Sequence, residues 1–203
     1  MIQNIAEEIS LRLVSNKIIS IDNRIYYTYG IELVLNNFII FLSIALIGIL
    51  TKMIFISLIY VVTYCSIRNY VGGYHCKTHM KCYFTTLSLY LLMLFLNYYL
   101  SNNRLIFSYI LIAIAIPIIY IFAPVDYGNG SISDDDRKTY RIKSIILIAI
   151  SLAIYIWANI LHLTEVSFAI AWAIFIVNSL MLLTLFLNLL ETRRKKNEKE
   201  TDT

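Results

Sequence analysis

The stretch Ile31–Leu50, IELVLNNFIIFLSIALIGIL, decides the fold. A helix that crosses a bilayer needs about 20 mostly apolar residues, and this run has that length with one charge, Glu32, at its edge. Five further apolar runs follow: Met53–Ile67, Tyr83–Leu100, Leu105–Phe122, Ile142–Ile160 and Val166–Leu190. The runs are too continuous for barrel strands, which alternate apolar and polar residues. Backbone polar groups in lipid must bond within their own segment, so helices are the expected form. The reading is an all-α polytopic membrane protein with six transmembrane helices.

Composition agrees. Of 203 residues, 59% are hydrophobic and only 15% charged, against about 25% charged in a soluble domain. A soluble globular class is therefore excluded, and no nucleic-acid partner is expected. The second run is short and either continues helically past Ile67 or enters the membrane without crossing fully. Thr51 and Lys52 join it to the first run as a hairpin. Pro117 is expected to kink the fourth run. The intramembrane asparagines Asn36, Asn37, Asn97, Asn178 and Asn188 are expected to bond helices together, and some of them to face a second copy in a homodimer.

The basic residues set the orientation. Arg12, Lys17 and Arg24 precede the first run. Arg68, Lys77 and Lys81 lie in the second loop, and Arg137, Lys138, Arg141 and Lys143 in the fourth. Arg193, Arg194, Lys195, Lys196 and Lys199 lie in the tail. Of the 17 basic residues, only Lys52 and Arg104 fall on the other side. Six crossings put both termini on one side, and the charge bias makes that side the cytoplasm. Residues 1–190 are expected to form one membrane-embedded domain, and 191–203 a charged cytoplasmic tail without fixed structure. Within residues 1–30, Ile2, Ile5, Ile9 and Leu13 recur at near-helical spacing. This amphipathic helix either lies along the membrane surface or packs on the bundle. No cleavable signal peptide is evident, and the three cysteines suggest no disulfide framework.

One polar loop stands out. It runs Arg68-Asn69-Tyr70-Val71-Gly72-Gly73-Tyr74-His75-Cys76-Lys77-Thr78-His79-Met80-Lys81-Cys82, and holds two of the three histidines and two of the three cysteines. Gly72 and Gly73 permit positive φ and should interrupt a helix arriving from the second run. On one straight helix His75 and Cys82 would sit about 10 Å apart along the axis. To cooperate they need a bend, for which Lys77-Thr78 is the natural place, with Cys82 opening the third helix. An imidazolium beside a cysteine favours thiolate, and Arg68 and Lys81 would add positive potential. A thiolate attacks a peptide carbonyl, and the imidazole returns a proton to the leaving amine. Two other readings stand beside this one. Zinc could use His75, Cys76, His79 and Cys82, or the residues could be ordinary packing groups.

The run Arg68-x-x-x-Gly72-Gly73-x-His75, followed by Cys82, resembles the signature of the accessory gene regulator protein B (AgrB) family. Phe122-Ala123-Pro124-Val125-Asp126, the length and the six-run pattern are similar to that family too. The resemblance implies a membrane cysteine endopeptidase that acts on an AgrD-like pheromone precursor, with no cofactor and no metal. It implies His75 as general base and Cys82 as nucleophile, with Arg68, Gly72 and Gly73 supporting. A thioester on Cys82 would release the precursor's acidic tail and let the peptide close to a thiolactone or lactone. Peptide export is the alternative function. Asp126 is a candidate to orient His75. Arg137, Lys138, Arg141 and Lys143 are candidates to hold the acidic tail, although Asp134, Asp135 and Asp136 beside them offset that field.

Overall fold

The computed structural model describes residues 2–73, 78–125 and 134–201. Among these the chain forms seven helices: α1 (Ile2–Ser15), α2 (Arg24–Leu50), α3 (Ile54–Val71), α4 (His79–Tyr99), α5 (Arg104–Phe122), α6 (Asp134–Ile160) and α7 (Thr164–Thr201). Six of them, α2 to α7, are long and apolar enough to cross a membrane. The chain is an all-helical, multi-pass membrane protein.

Tight turns close the three helical hairpins at one end. Met53 N–H bonds the Gly48 carbonyl at 2.8 Å, and Leu163 N–H bonds that of Ala158 at 2.9 Å. Arg104 Nε reaches back to the Asn97 carbonyl at 2.7 Å and Nη1 to Glu165 at 3.1 Å. Lys52, Arg104, His162 and Glu165 line a shared cleft of about 410 Å³ there. The opposite end, here the basic end, gathers the loops that follow α3 and α5.

α7 is the hub. Phe168, Ala169, Ile170, Ala171, Ala173, Ile174, Val177 and Met181 along it are all buried, and α3, α4, α5 and α6 all pack on it. Small residues on one face let those backbones approach closely, which is how helices associate where lipid is as apolar as leucine. Ser–Tyr pairs add the polar ties: Ser57 with Tyr90 at 2.6 Å, Ser43 with Tyr83 at 3.0 Å, and Ser108 with Tyr155 at 3.0 Å. Trp172 Nε1 donates to the Leu89 carbonyl at 3.2 Å. Two of the five asparagines do not bond across helices as expected: Asn97 is buried, and neither its Oδ1 nor its Nδ2 finds a partner among the described residues, nor does Oδ1 of the buried Asn178.

Several boundaries differ from the sequence reading. α2 starts at Arg24, a full two turns before Ile31, through Tyr26, Tyr27 and Tyr29. Aromatic residues of this kind suit the membrane–water boundary. α3 does continue past Ile67, ending at Val71. α1 packs on α2: Ala6 and Ser10 are buried, and the Thr28 hydroxyl donates to that of Ser10 at 2.8 Å. Its Ile5, Ile9 and Leu11 remain exposed, so one face meets the bundle and another is left for lipid. The tail does not lack structure as expected, because α7 runs on to Thr201. Residues 191–201 contain no glycine or proline, and glutamate, lysine and arginine are good helix formers.

The Ser57–Tyr90 pair predicts the first outcome. Tyr90→Phe removes one buried interhelical hydrogen bond, so stability to detergent unfolding should fall by roughly 0.6–1.7 kcal/mol. A neutral or stabilising result would mean that the pair contributes nothing.

Candidate active site

The glycines that end α3 do so for reasons of space as well as angle. Gly72 has φ 78° and Gly73 φ 124°, a region where side chains are strained. A Cβ on Gly72 would run into the Val125 carbonyl oxygen. A Cβ on Gly73 would lie 3.3 Å from the Met181 backbone nitrogen on α7. The chain therefore leaves α3 pressed between two other backbones.

One of those contacts is a bridge. Gly72 and Val125 pair in parallel, and Val125 N–H bonds the Val71 carbonyl at 3.0 Å. The Ala123–Pro124 bond before it is cis. Two segments far apart in sequence, the glycine pair and Ala123-Pro124-Val125, are thus joined at the basic end.

α4 then starts at His79. Thr78 is its N-cap, accepting from Lys81 N–H at 3.4 Å. Cys82 lies in the first turn, half-buried, with its N–H on the Thr78 carbonyl at 3.1 Å. It lies within electrostatic reach of Tyr64, whose hydroxyl bonds Thr86. The Ser57–Tyr90 bond at 2.6 Å ties α4 to α3 further along. The Arg68 guanidinium covers the Tyr64 ring at 5.7 Å.

The expected break at Gly72-Gly73 is present; the helix opens at His79, three residues before Cys82, and Lys77 of the expected Lys77-Thr78 bend lies outside the described residues. Arg68 and Cys82 both lie near Tyr64, while Gly72 and Gly73 end α3 against Val125 and α7. His75, Cys76 and Asp126 lie outside the described residues, as does the side chain of His79. The general base, the orienting carboxylate and the zinc reading therefore rest on the sequence. The half-buried Cys65 is one turn from Arg68. Lys143 stacks over the Tyr70 ring at 5.3 Å, which also meets Tyr140 edge-on. Arg141 faces α5 instead, at a cleft that reaches Ala123, while Arg137 and Lys138 are exposed. The basic quartet is thus divided among three directions. Sequence reasoning missed Tyr64 and Thr86, because a tyrosine inside an apolar run reads as packing.

The family model for accessory gene regulator B matches residues 3–185. The chain belongs to the accessory gene regulator B family. It is 29% identical over 130 residues to accessory gene regulator protein B of Staphylococcus saprophyticus, covering 64% of this chain and 68% of the relative. It is 27% identical over 188 residues to an AgrB-like protein of Clostridium perfringens, covering 90% and 85%. No solved structure matches it significantly. As an AgrB-family member, the chain is a membrane component of accessory gene regulator quorum sensing. The matched region takes in every candidate residue from Arg68 to Lys143.

The Gly72–Val125 contact predicts a contrast between two glycines. Gly72→Ala should cost more than ~1 kcal/mol, since positive φ alone is worth about that and the carbonyl clash adds to it. Gly30→Ala, inside α2 with open space around it, should be neutral or stabilising by up to about 1 kcal/mol. Thermal unfolding in detergent compares the two, and equal effects would contradict the bridge.

Proposed function

We propose that this protein is a cysteine endopeptidase that removes the acidic tail from an AgrD-like precursor, with the basic end in the cytoplasm. The observation that carries the reading is the position of Cys82. It is a half-buried thiol in the first turn of α4, near Tyr64, whose ring the Arg68 guanidinium covers. The distribution of basic residues supports the orientation.

In this reading the Cys82 thiolate attacks the scissile carbonyl, and His75 gives a proton to the departing amine of the tail. The peptide stays behind as a thioester on Cys82. A thiol or hydroxyl of the same peptide then attacks that thioester, losing its proton to His75, and Cys82 leaves as thiolate. The product is a cyclic thiolactone or lactone. The thioester carries the activation, so no nucleotide is consumed. Water must stay out until the ring closes, and a recessed thiol among apolar helices favours that.

Asp126 follows directly after Val125, which is bonded to Val71. This pairing favours a role for Asp126 in orienting the His75 imidazole. Arg137 and Lys138, exposed at the start of α6, would attract the acidic tail through their field.

Incubating the protein in proteoliposomes with a labelled precursor tests the reading. Cys82→Ala should release no tail, and His75→Gln should slow release roughly 10²–10⁴-fold. Asp126→Asn should give a smaller loss. Tail release unchanged in Cys82→Ala would reject the nucleophile.

A further inference from the structure

We infer that the cleft between α5 and α6 is a binding site for an anionic phospholipid, with one acyl chain in the cleft and the phosphate at Arg141. The two helices touch near the end opposite the basic end, where Ser108 and Tyr155 share a hydrogen bond at 3.0 Å and Tyr109 meets Tyr155 edge-on. Towards the basic end they part and leave a cavity of about 180 Å³. Its walls are apolar: Ile116, Ile119 and Ala123 on one side, Ile145, Ile148 and Leu152 on the other.

Length, polarity and charge together name the occupant. From Arg141 to Leu152 the cleft runs about 16 Å along α6, roughly one leaflet of a ~30 Å hydrocarbon core. That matches an acyl chain entering from the headgroup level. Two side-chain hydroxyls belong to the wall, those of Tyr120 and Ser144, and Ser144 Oγ already donates to the Arg141 carbonyl at 2.8 Å. A peptide laid in the cleft would have its backbone N–H and C=O groups left without partners, which lipid-like surroundings penalise by several kcal/mol each. A hydrocarbon chain has none to satisfy. At the mouth, the exposed Arg141 guanidinium is a bidentate match for a phosphate, and basic residues at a membrane surface attract anionic headgroups.

The site bears on the peptidase region without depending on the proposed chemistry. Ala123 forms part of the wall, and Val125, two residues on, carries the hydrogen bond to Val71. An occupied cleft would support the segment that pins the glycine turn.

The test uses the full chain in nanodiscs of equal phosphatidylglycerol and phosphatidylcholine, followed by mild detergent extraction. Retained lipid is counted by native mass spectrometry. The wild-type protein should keep phosphatidylglycerol in preference to phosphatidylcholine by about fivefold, the advantage of one basic residue at a membrane surface. Arg141→Gln, an exchange at an exposed position, should abolish that preference. Ile148→Trp, which fills the cleft, should reduce retention of both lipids. Inorganic phosphate at millimolar concentration should displace neither. Arg141→Gln with an unchanged lipid preference would overturn the assignment. So would displacement by phosphate alone, or an Arg141→Gln variant that loses capture of an acidic peptide while its lipids are unaffected.

Discussion

The hydrogen bond from Val125 N–H to the Val71 carbonyl, with its Gly72–Val125 bridge, is the constraint on which the basic end depends. In a membrane protein, non-helical backbone survives at depth only where protein satisfies its polar groups. The chain leaves helix after both α3 and α5, and each exposed segment satisfies part of the other. Gly72 is required because a side chain there would displace the Val125 carbonyl. Gly73 is required because α7 lies immediately beyond it. Together these contacts fix how the chain leaves α3 before α4 begins at His79.

Cys82 is half-buried near Tyr64. The Arg68 guanidinium lies over the same Tyr64 ring at 5.7 Å. A thioester formed there would meet the precursor's own nucleophile in surroundings poor in water. Geometry, charge and the need for cyclisation thus point the same way.

The spans were legible because each is continuous, apolar and long, features that depend on no tertiary contact. Their edges were less so. Tyr26, Tyr27 and Tyr29 fall before the first apolar run, yet α2 runs through them, and tyrosine suits the membrane–water boundary. Interhelical bonding was expected of the asparagines, and Ser–Tyr pairs that sequence reasoning did not single out also supply it. The glycine break, the Thr78 cap and Cys82 at a helix start were all readable from local rules. The pairing of Gly72 with Val125 was not, since nothing in either segment encodes the other's position. Resemblance placed both in one family signature, and the structure adds that they touch.

The central claim is that His75 activates Cys82. The most direct measurement is the alkylation rate of Cys82 near neutral pH, in protein whose Cys65 and Cys76 are serine. The account predicts fast alkylation, slowed more than about tenfold by His75→Gln, because a neighbouring imidazolium is what stabilises thiolate at that pH. An equal rate with and without the imidazole would contradict it.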